Sequence, residues 1–238
     1  MPVRSIIKWP DPKLSQISNP IEEVNLETIS LAKDLYDTMI AALGIGLAAP
    51  QVGISKALCV IKNGLYESPM PVDPVLSEVL VLVNPLIEIL DEKETFQWRE
   101  ACLSVDNTEA VVTRYKQIKL SYTDLGNNKH SFLLYDHMAG VIQHETDHLI
   151  GKVFIDRLPP KKYREAKSKI LSRKREEARL YAKLLKKQKR EEALERAQNE
   201  EPPRAGFRAL PKEKSAQHRL KKRKISKNFG KNKHRRKK

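Results

Sequence analysis

The feature that most constrains the fold of this chain is a pair of histidines four residues apart, His144 and His148, with Glu145 directly after the first. Four residues make about one helical turn, so on a helix both imidazoles point from one face. They can then bind one metal ion, and the glutamate lies beside the ion's water as a base. Apolar neighbours such as Val141 and Ile142 predict that this helix is buried. The alternative to a metal site is a chance match to the two-histidine pattern.

Two further segments support the metal-site interpretation: a glycine-rich loop at residues 44–51 and a cysteine-centred stretch at residues 100–104. With the two-histidine helix, and in this order along the chain, they resemble the peptide deformylase family. The stretches at residues 6–14 and 149–154 are also similar to that family. The resemblance covers about residues 3–160. It implies an α+β fold in which antiparallel sheets surround the metal-binding helix.

The resemblance also implies a ligand set. A catalytic divalent ion usually has three protein ligands and one open position, and Cys102 is the expected third ligand beside His144 and His148. A thiolate is a soft ligand that suits iron(II) or zinc. Iron(II) is the expected ion, with zinc, nickel and cobalt as alternatives.

Three residues are expected to carry the chemistry. Glu145 would accept a proton from the attacking water and pass it to the departing amine. By resemblance to the family, the backbone N–H of Leu103 and the side-chain amide of Gln51 would stabilise the oxyanion.

The peptide would lie along the glycine-rich loop as an added strand. The residues expected to bind it are Gly44, Ile45, Gly46, Glu100, Ala101 and Val141. Ile45 would line the pocket for the methionine side chain. Arg114 and Asp147 also match family positions and predict an ion pair that braces the helix, although a plain surface pair is the alternative.

Four residues depart from the family pattern. Ala101 replaces a glycine at the peptide-facing edge, and Glu109 stands where many relatives carry an arginine that holds the peptide. His137 and Gly140 stand where relatives have bulkier apolar pocket residues. These changes bear on peptide and side-chain preference rather than on the reaction itself.

Acidic residues predominate in the first part of the chain and basic residues in the last part. Residues 1–160 hold 14 Lys+Arg and 21 Asp+Glu, whereas residues 161–238 hold 31 and 9. We therefore expect a deformylase domain at 1–160, a charged helical extension at 161–199 and a basic, disordered tail at 200–238. Such a basic segment fits a polyanion, and the resemblance implies ribosomal RNA as the partner of residues 161–238.

The remaining features concern compartment and secondary structure. The chain has two cysteines, Cys59 in an apolar run and Cys102, with no apolar leader and no membrane span, which favours the cytoplasm. A helix is predicted at 27–43, ended by Gly44. Strands are predicted at 56–62, 80–90, 95–103, 116–123 and 131–135, the last two as a hairpin.

The expected function is hydrolysis of the N-formyl group from the initiator methionine of nascent polypeptides, with release of formate. One alternative is a zinc peptidase using the same His-Glu-x-x-His helix. A second is a nucleic-acid-binding protein whose enzyme domain has decayed. The ligand residues and Glu145 are all present, which favours the enzyme.

Overall fold

A computed structural model describes residues 3–64 and 70–199. The chain divides into two compact units, Met1–Leu180 and Tyr181–Lys238. The predicted disordered tail at 200–238 lies outside the described residues. The helices and strands are α1 (Leu26–Ala41), β1 (Gly46–Ala48), β2 (Leu58–Lys62), β3 (Val79–Ile89), β4 (Thr95–Cys102), β5 (Val105–Tyr115), β6 (Gln117–Thr123), β7 (Lys129–Tyr135), α2 (Asp136–Leu149) and α3 (Pro160–Asn199).

The strands form two antiparallel sheets. The larger has five strands in the order β1-β2-β3-β6-β7, and the smaller consists of β4 and β5. The predicted α+β class and the β6–β7 hairpin are confirmed. The sequence reading missed β1 and β5. In β5 the residues at 106, 107 and 109 are Asp, Asn and Glu, which strands disfavour, and only part of the strand alternates between buried and exposed positions.

Helix α1 begins at an Asn25 cap, whose side chain accepts hydrogen bonds from the backbone N–H groups of Glu27 and Thr28. It ends at Ala41, two residues before the predicted end. Leu43, rather than a glycine, takes the left-handed backbone conformation there, with φ of 55°. The helix leads into the glycine-rich loop, as predicted. Leu43, and not the predicted Gly44, forms the turn between them.

Helix α2 is the central element of the first unit. Its apolar residues Ala139, Val141, Ile142 and Leu149 pack into a core with the inner faces of β2, β3, β6 and β7. Cys59 is fully buried in the same core, as predicted. Gln143 fixes the register of the helix, because its side-chain amide both accepts from the N–H and donates to the C=O of Tyr115 at the end of β5.

A separate apolar cluster joins β5, the short 3₁₀ turn Phe154–Arg157 and the first turns of α3. Ile170 of α3 is buried there beside Phe154 and Ile155. Residues 181–196 form a separate stretch of α3 whose side chains are all exposed, including Tyr181, Leu184 and Leu185. The described ranges contain no helix with an apolar run of membrane-spanning length.

Candidate active site

The site forms where the β4–β5 hairpin meets α2. A register shift between Ala101 and Cys102 ends the regular pairing of β4 with β5 at a tight turn, which leaves the Cys102 thiol facing the helix. One donor atom each from Cys102, His144 and His148 lies within 4.8 Å of the others. The Cys102 sulfur is 3.4 Å from Nε2 of His148. One thiolate and two imidazoles gathered this closely suit a transition-metal ion and not a hard cation.

The electrostatic environment of the Cys102 thiol agrees with metal binding. Burial alone would raise the pKa of the Cys102 thiol, but the charge of His148 and hydrogen bonds with both histidines outweigh it and lower that pKa to about 5. The thiolate is therefore the stable form near neutral pH, and the thiolate is the form that binds metals. The donor set fits one divalent transition-metal ion.

Glu100 orients the first histidine. Its carboxylate accepts a hydrogen bond from Nδ1 of His144 at 2.7 Å, which leaves Nε2 of that ring for the metal. The same carboxylate accepts two hydrogen bonds from Arg114, at 2.6 and 2.9 Å. Burial alone would raise the pKa of Glu100, but these donors lower it. Glu100 was expected to bind substrate; its contacts make it a support for a metal ligand.

Arg114 continues the network to the helix. It donates to Asp147 at 2.6 Å, which confirms the predicted ion pair and excludes the plain surface pair, since both side chains are almost fully buried. Arg157 forms a second ion pair with the Asp147 carboxylate. The sequence analysis did not predict Arg157, because no local pattern shows that the turn after α2 folds back onto Asp147 of that helix. The network fixes α2, and hence both histidines, against the smaller sheet.

Glu145 lies beside the glycine-rich loop. A β-carbon on Gly46 would be 2.2 Å from its Oε1, so only glycine leaves room for this carboxylate. Its Oε2 is buried and has no hydrogen-bond partner among the described residues. Burial raises the pKa of Glu145 above its ordinary value. A buried carboxylate with an unused oxygen, next to the ligand atoms, is suited to accept a proton from a bound water.

The Gln51 amide faces the Cys102 sulfur. Its Oε1 accepts from the backbone N–H of Ala48 at 2.8 Å, which fixes the orientation of the amide. Its Nε2 consequently points to the Cys102 sulfur at 3.5 Å and to Oγ of Ser104 at 3.2 Å. Leu103 lies in the tight turn between Cys102 and Ser104. The two proposed oxyanion donors therefore belong to segments that meet at the metal ligands.

A cavity of about 840 Å³ opens onto these groups. Such a volume lies within the range of ordinary ligand-binding pockets and leaves room for a short peptide. All of the predicted substrate-binding residues line it: Gly44, Ile45, Gly46, Glu100, Ala101 and Val141.

Trp98 of β4 also lines the cavity, and the sequence reading did not single it out. A β-carbon on Gly140 would lie 2.7 Å from the Trp98 ring, so the indole occupies the space that a larger residue at 140 would fill. The His137 ring packs edge-on against the indole, with centroids 6.4 Å apart. Gly140 and His137, two of the four departures from the family pattern, therefore both lie against Trp98 of β4.

Fold and site together define a metal-dependent hydrolase. A family model described as polypeptide deformylase matches residues 3–164. A peptide deformylase of Endomicrobium trichonymphae is 38% identical over 170 residues, which cover 71% of this chain and 95% of that protein. The chain therefore belongs to the polypeptide deformylase family. As a member, it is an enzyme that removes the N-formyl group from nascent polypeptides.

Solved structures agree with this assignment. The crystal structure of a peptide deformylase from Legionella pneumophila is 33% identical, with a TM-score of 0.63, over 75% of this chain and 99% of that one. A peptide deformylase from Ehrlichia chaffeensis, solved in complex with actinonin, is 32% identical, with a TM-score of 0.62, over 74% and 99% of the two chains. The family match at residues 3–164 includes every element that carries the site.

Proposed function

We propose that Cys102, His144 and His148 hold one divalent metal ion and that Glu145, Gln51 and Leu103 carry the deformylation chemistry around it. The thiol–imidazole cluster supports this assignment. When bound, the metal acts as a Lewis acid and acidifies a water molecule. Iron(II) is the proposed ion, with zinc, nickel and cobalt as alternatives that the same donors accept.

Glu145 is proposed to move the proton. The unpartnered Oε2 supports this role, because that oxygen is buried yet available to a water in the cavity. The carboxylate would take a proton from the attacking water and return it to the departing amine nitrogen. The elevated pKa of Glu145 favours acceptance of the proton, since a carboxylate with an ordinary pKa is a weaker base.

Gln51 and Leu103 are proposed to stabilise the oxyanion that forms when water attacks the formyl carbon. The amide of Gln51 is held by Ala48, so its N–H₂ does not have to reorient during the reaction. Preorganised donors of this kind are typically worth about 3–4 kcal/mol each in acyl transfer.

The peptide is proposed to bind along β1. Among the described strands, β1 pairs with β2 alone and is the edge of the five-stranded sheet. Gly44, Ile45 and Gly46, at the start of this strand and directly before it, line the cavity. A peptide in extended conformation can add to such an edge through main-chain hydrogen bonds. Its first side chain would then enter the pocket between Ile45, Trp98 and Val141.

The test is formate release from formyl-Met-Ala-Ser, together with metal content measured under anaerobic conditions. Stoichiometric metal with formate release is the expected result. Cleavage of an unblocked peptide without formate release would instead indicate the zinc peptidase. Loss of activity on exposure to air, restored by fresh iron(II), would identify iron as the ion, because thiolate and ion share one coordination shell.

We further propose that residues 161–238 bind ribosomal RNA. The strong positive charge of this segment supports the proposal, and its few aromatic residues favour phosphate contacts over base stacking. An enzyme that acts on short nascent chains gains from being held at the ribosome. A cytoplasmic location is proposed with it, since Cys102 must stay reduced to bind metal.

A further inference from the structure

The first turns of α3 are built into the first unit and are not an appendage. Ile170 is 2% exposed and packs with Phe154, Ile155 and Val153. Ala166 and Tyr163, one and two turns earlier, pack against the same cluster. This part of the helix therefore has a fixed position beside the β4–β5 hairpin.

Arg173 ties the helix to the start of β5. Its guanidinium donates to the carbonyl of Asn107 at 2.6 Å and to the Thr108 hydroxyl at 2.7 Å. Asn107 has a left-handed backbone, with φ of 49°. The hydrogen bond from Arg173 to its carbonyl helps to hold this conformation. Asn107 and Thr108 line the substrate cavity, and α3 thereby positions part of the cavity wall.

Lys169 of α3 lines the same cavity as Thr108 and Glu109. Glu109 is paired with Arg99 at 3.4 Å, so this anion of the cavity wall already has a cation beside it. Lys169 is exposed and makes no hydrogen bond or ion pair with any other residue that the structure describes. The cavity wall therefore includes a positive charge without a partner among the described residues, and the helix that follows α2 supplies it.

We propose that α3 completes the substrate site and that Lys169 binds an acidic side chain of the formylated peptide, downstream of its first residue. The inference rests on the proposed use of this cavity by the peptide. Lys169 belongs to α3 and not to β4 or α2, which carry the proposed metal ligands, so it is the lining residue proposed to meet the residues that follow the methionine. Because the ion pair is exposed, it gives a preference and not an absolute requirement.

The experiment compares amidated formyl-Met-X-Ser and formyl-Met-Ala-X peptides in which X is glutamate, glutamine or lysine. Amidation removes the terminal carboxylate, which would otherwise supply a negative charge in every peptide. For the unaltered chain, kcat/KM should be about two- to fivefold higher for glutamate than for glutamine at one of the two positions. High ionic strength should abolish that ratio.

Lys169→Glu should reverse the ratio, so that lysine is preferred over glutamate at the same position. Lys162→Glu is the matched control, because Lys162 is exposed on the same helix and does not line the cavity. It changes the net charge equally and should leave the preference intact. An unchanged ratio in Lys169→Glu, or an equal change in Lys162→Glu, would overturn the proposal. Absence of formate release from the glutamine peptides would instead count against the proposed use of the cavity.

Discussion

Gly46 and Glu145 are complementary: the carboxylate of Glu145 occupies the space in which a side chain at position 46 would lie. A β-carbon there would be 2.2 Å from Oε1 and 2.6 Å from Cδ. The glycine of the loop is therefore required by the Glu145 carboxylate, the proposed general base, whether or not a peptide also approaches it. This relationship links two sequence motifs that are almost one hundred residues apart.

Gly46→Ala should consequently displace the Glu145 carboxylate and lower kcat by about 10²- to 10⁴-fold, the range associated with general acid–base catalysis. The metal ligands do not touch this position, so metal content should stay near one ion per chain. Steady-state kinetics and metal analysis measure the two quantities.

Gly44→Ala serves as the comparison for that variant. Its β-carbon would meet Cδ1 of Leu103 at 2.7 Å, the end of a flexible side chain, and not the carboxylate. A smaller loss is expected. If Gly44→Ala and Gly46→Ala lose the same activity, a general change in loop conformation is the cause and the contact with Glu145 is not.

The sequence predicted the elements that carry the chemistry because each lies in a short, local pattern. His144, Glu145 and His148 are neighbours on one helical face, and Cys102 lies within its own motif. The supporting contacts join distant segments, and no local pattern encodes them. Arg157 reaching Asp147, Gln143 bonding the backbone of Tyr115 and Trp98 filling the space above Gly140 are of this kind.

The same distinction explains why β5, one of the two missed strands, was not predicted. Several residues of β5 face solvent or the cavity, so they are polar, and the strand lacks a continuous apolar face. Its stability comes from pairing with β4 along its length and from Val105 and Val112, which lie in the apolar cluster shared with the first turns of α3. Tertiary packing overrides local propensity there.

Glu100→Gln should weaken metal binding by about 10- to 100-fold, the usual effect of removing a hydrogen-bonded support from a metal-ligating histidine. The change removes the negative charge that holds Nδ1 of His144 and leaves Arg114 with one anionic partner fewer. Metal affinity would be measured by chelator competition. Glu88→Gln is the control, because Glu88 is exposed and pairs with Lys119 far from the site. Unaltered affinity in Glu100→Gln would remove Glu100 from this role.

Gln51→Ala should lower kcat by about 10²- to 10³-fold if the amide stabilises the oxyanion. KM should change little, because the interaction forms mainly in the transition state. Rates on formyl-Met-Ala-Ser over a range of concentrations separate the two parameters. A rise confined to KM would assign Gln51 to substrate binding instead.

Trp98→Ala should widen the pocket for the first side chain, because the indole occupies the space above Gly140. The ratio of kcat/KM for formyl-Phe to formyl-Met peptides should rise by about tenfold, which is within the discrimination that apolar pockets achieve. Phe96→Leu is the control: Phe96 packs on Trp98 and His137 but does not line the cavity. An equal fall for both peptides in Trp98→Ala would indicate a purely structural role.

Truncation after Leu180 should separate catalysis from ribosome binding. The cut keeps Ile170, which is buried, and Lys169 and Arg173, which complete the cavity, while it removes the exposed part of α3 and the basic tail. Rates on free formyl-peptides should be nearly unchanged. Co-sedimentation with ribosomes should be lost, whereas the full chain should sediment with them at low salt and be released steeply as salt rises. If the truncated chain sediments as well as the full chain, the ribosome contact lies within residues 1–180 and the basic extension is not the anchor.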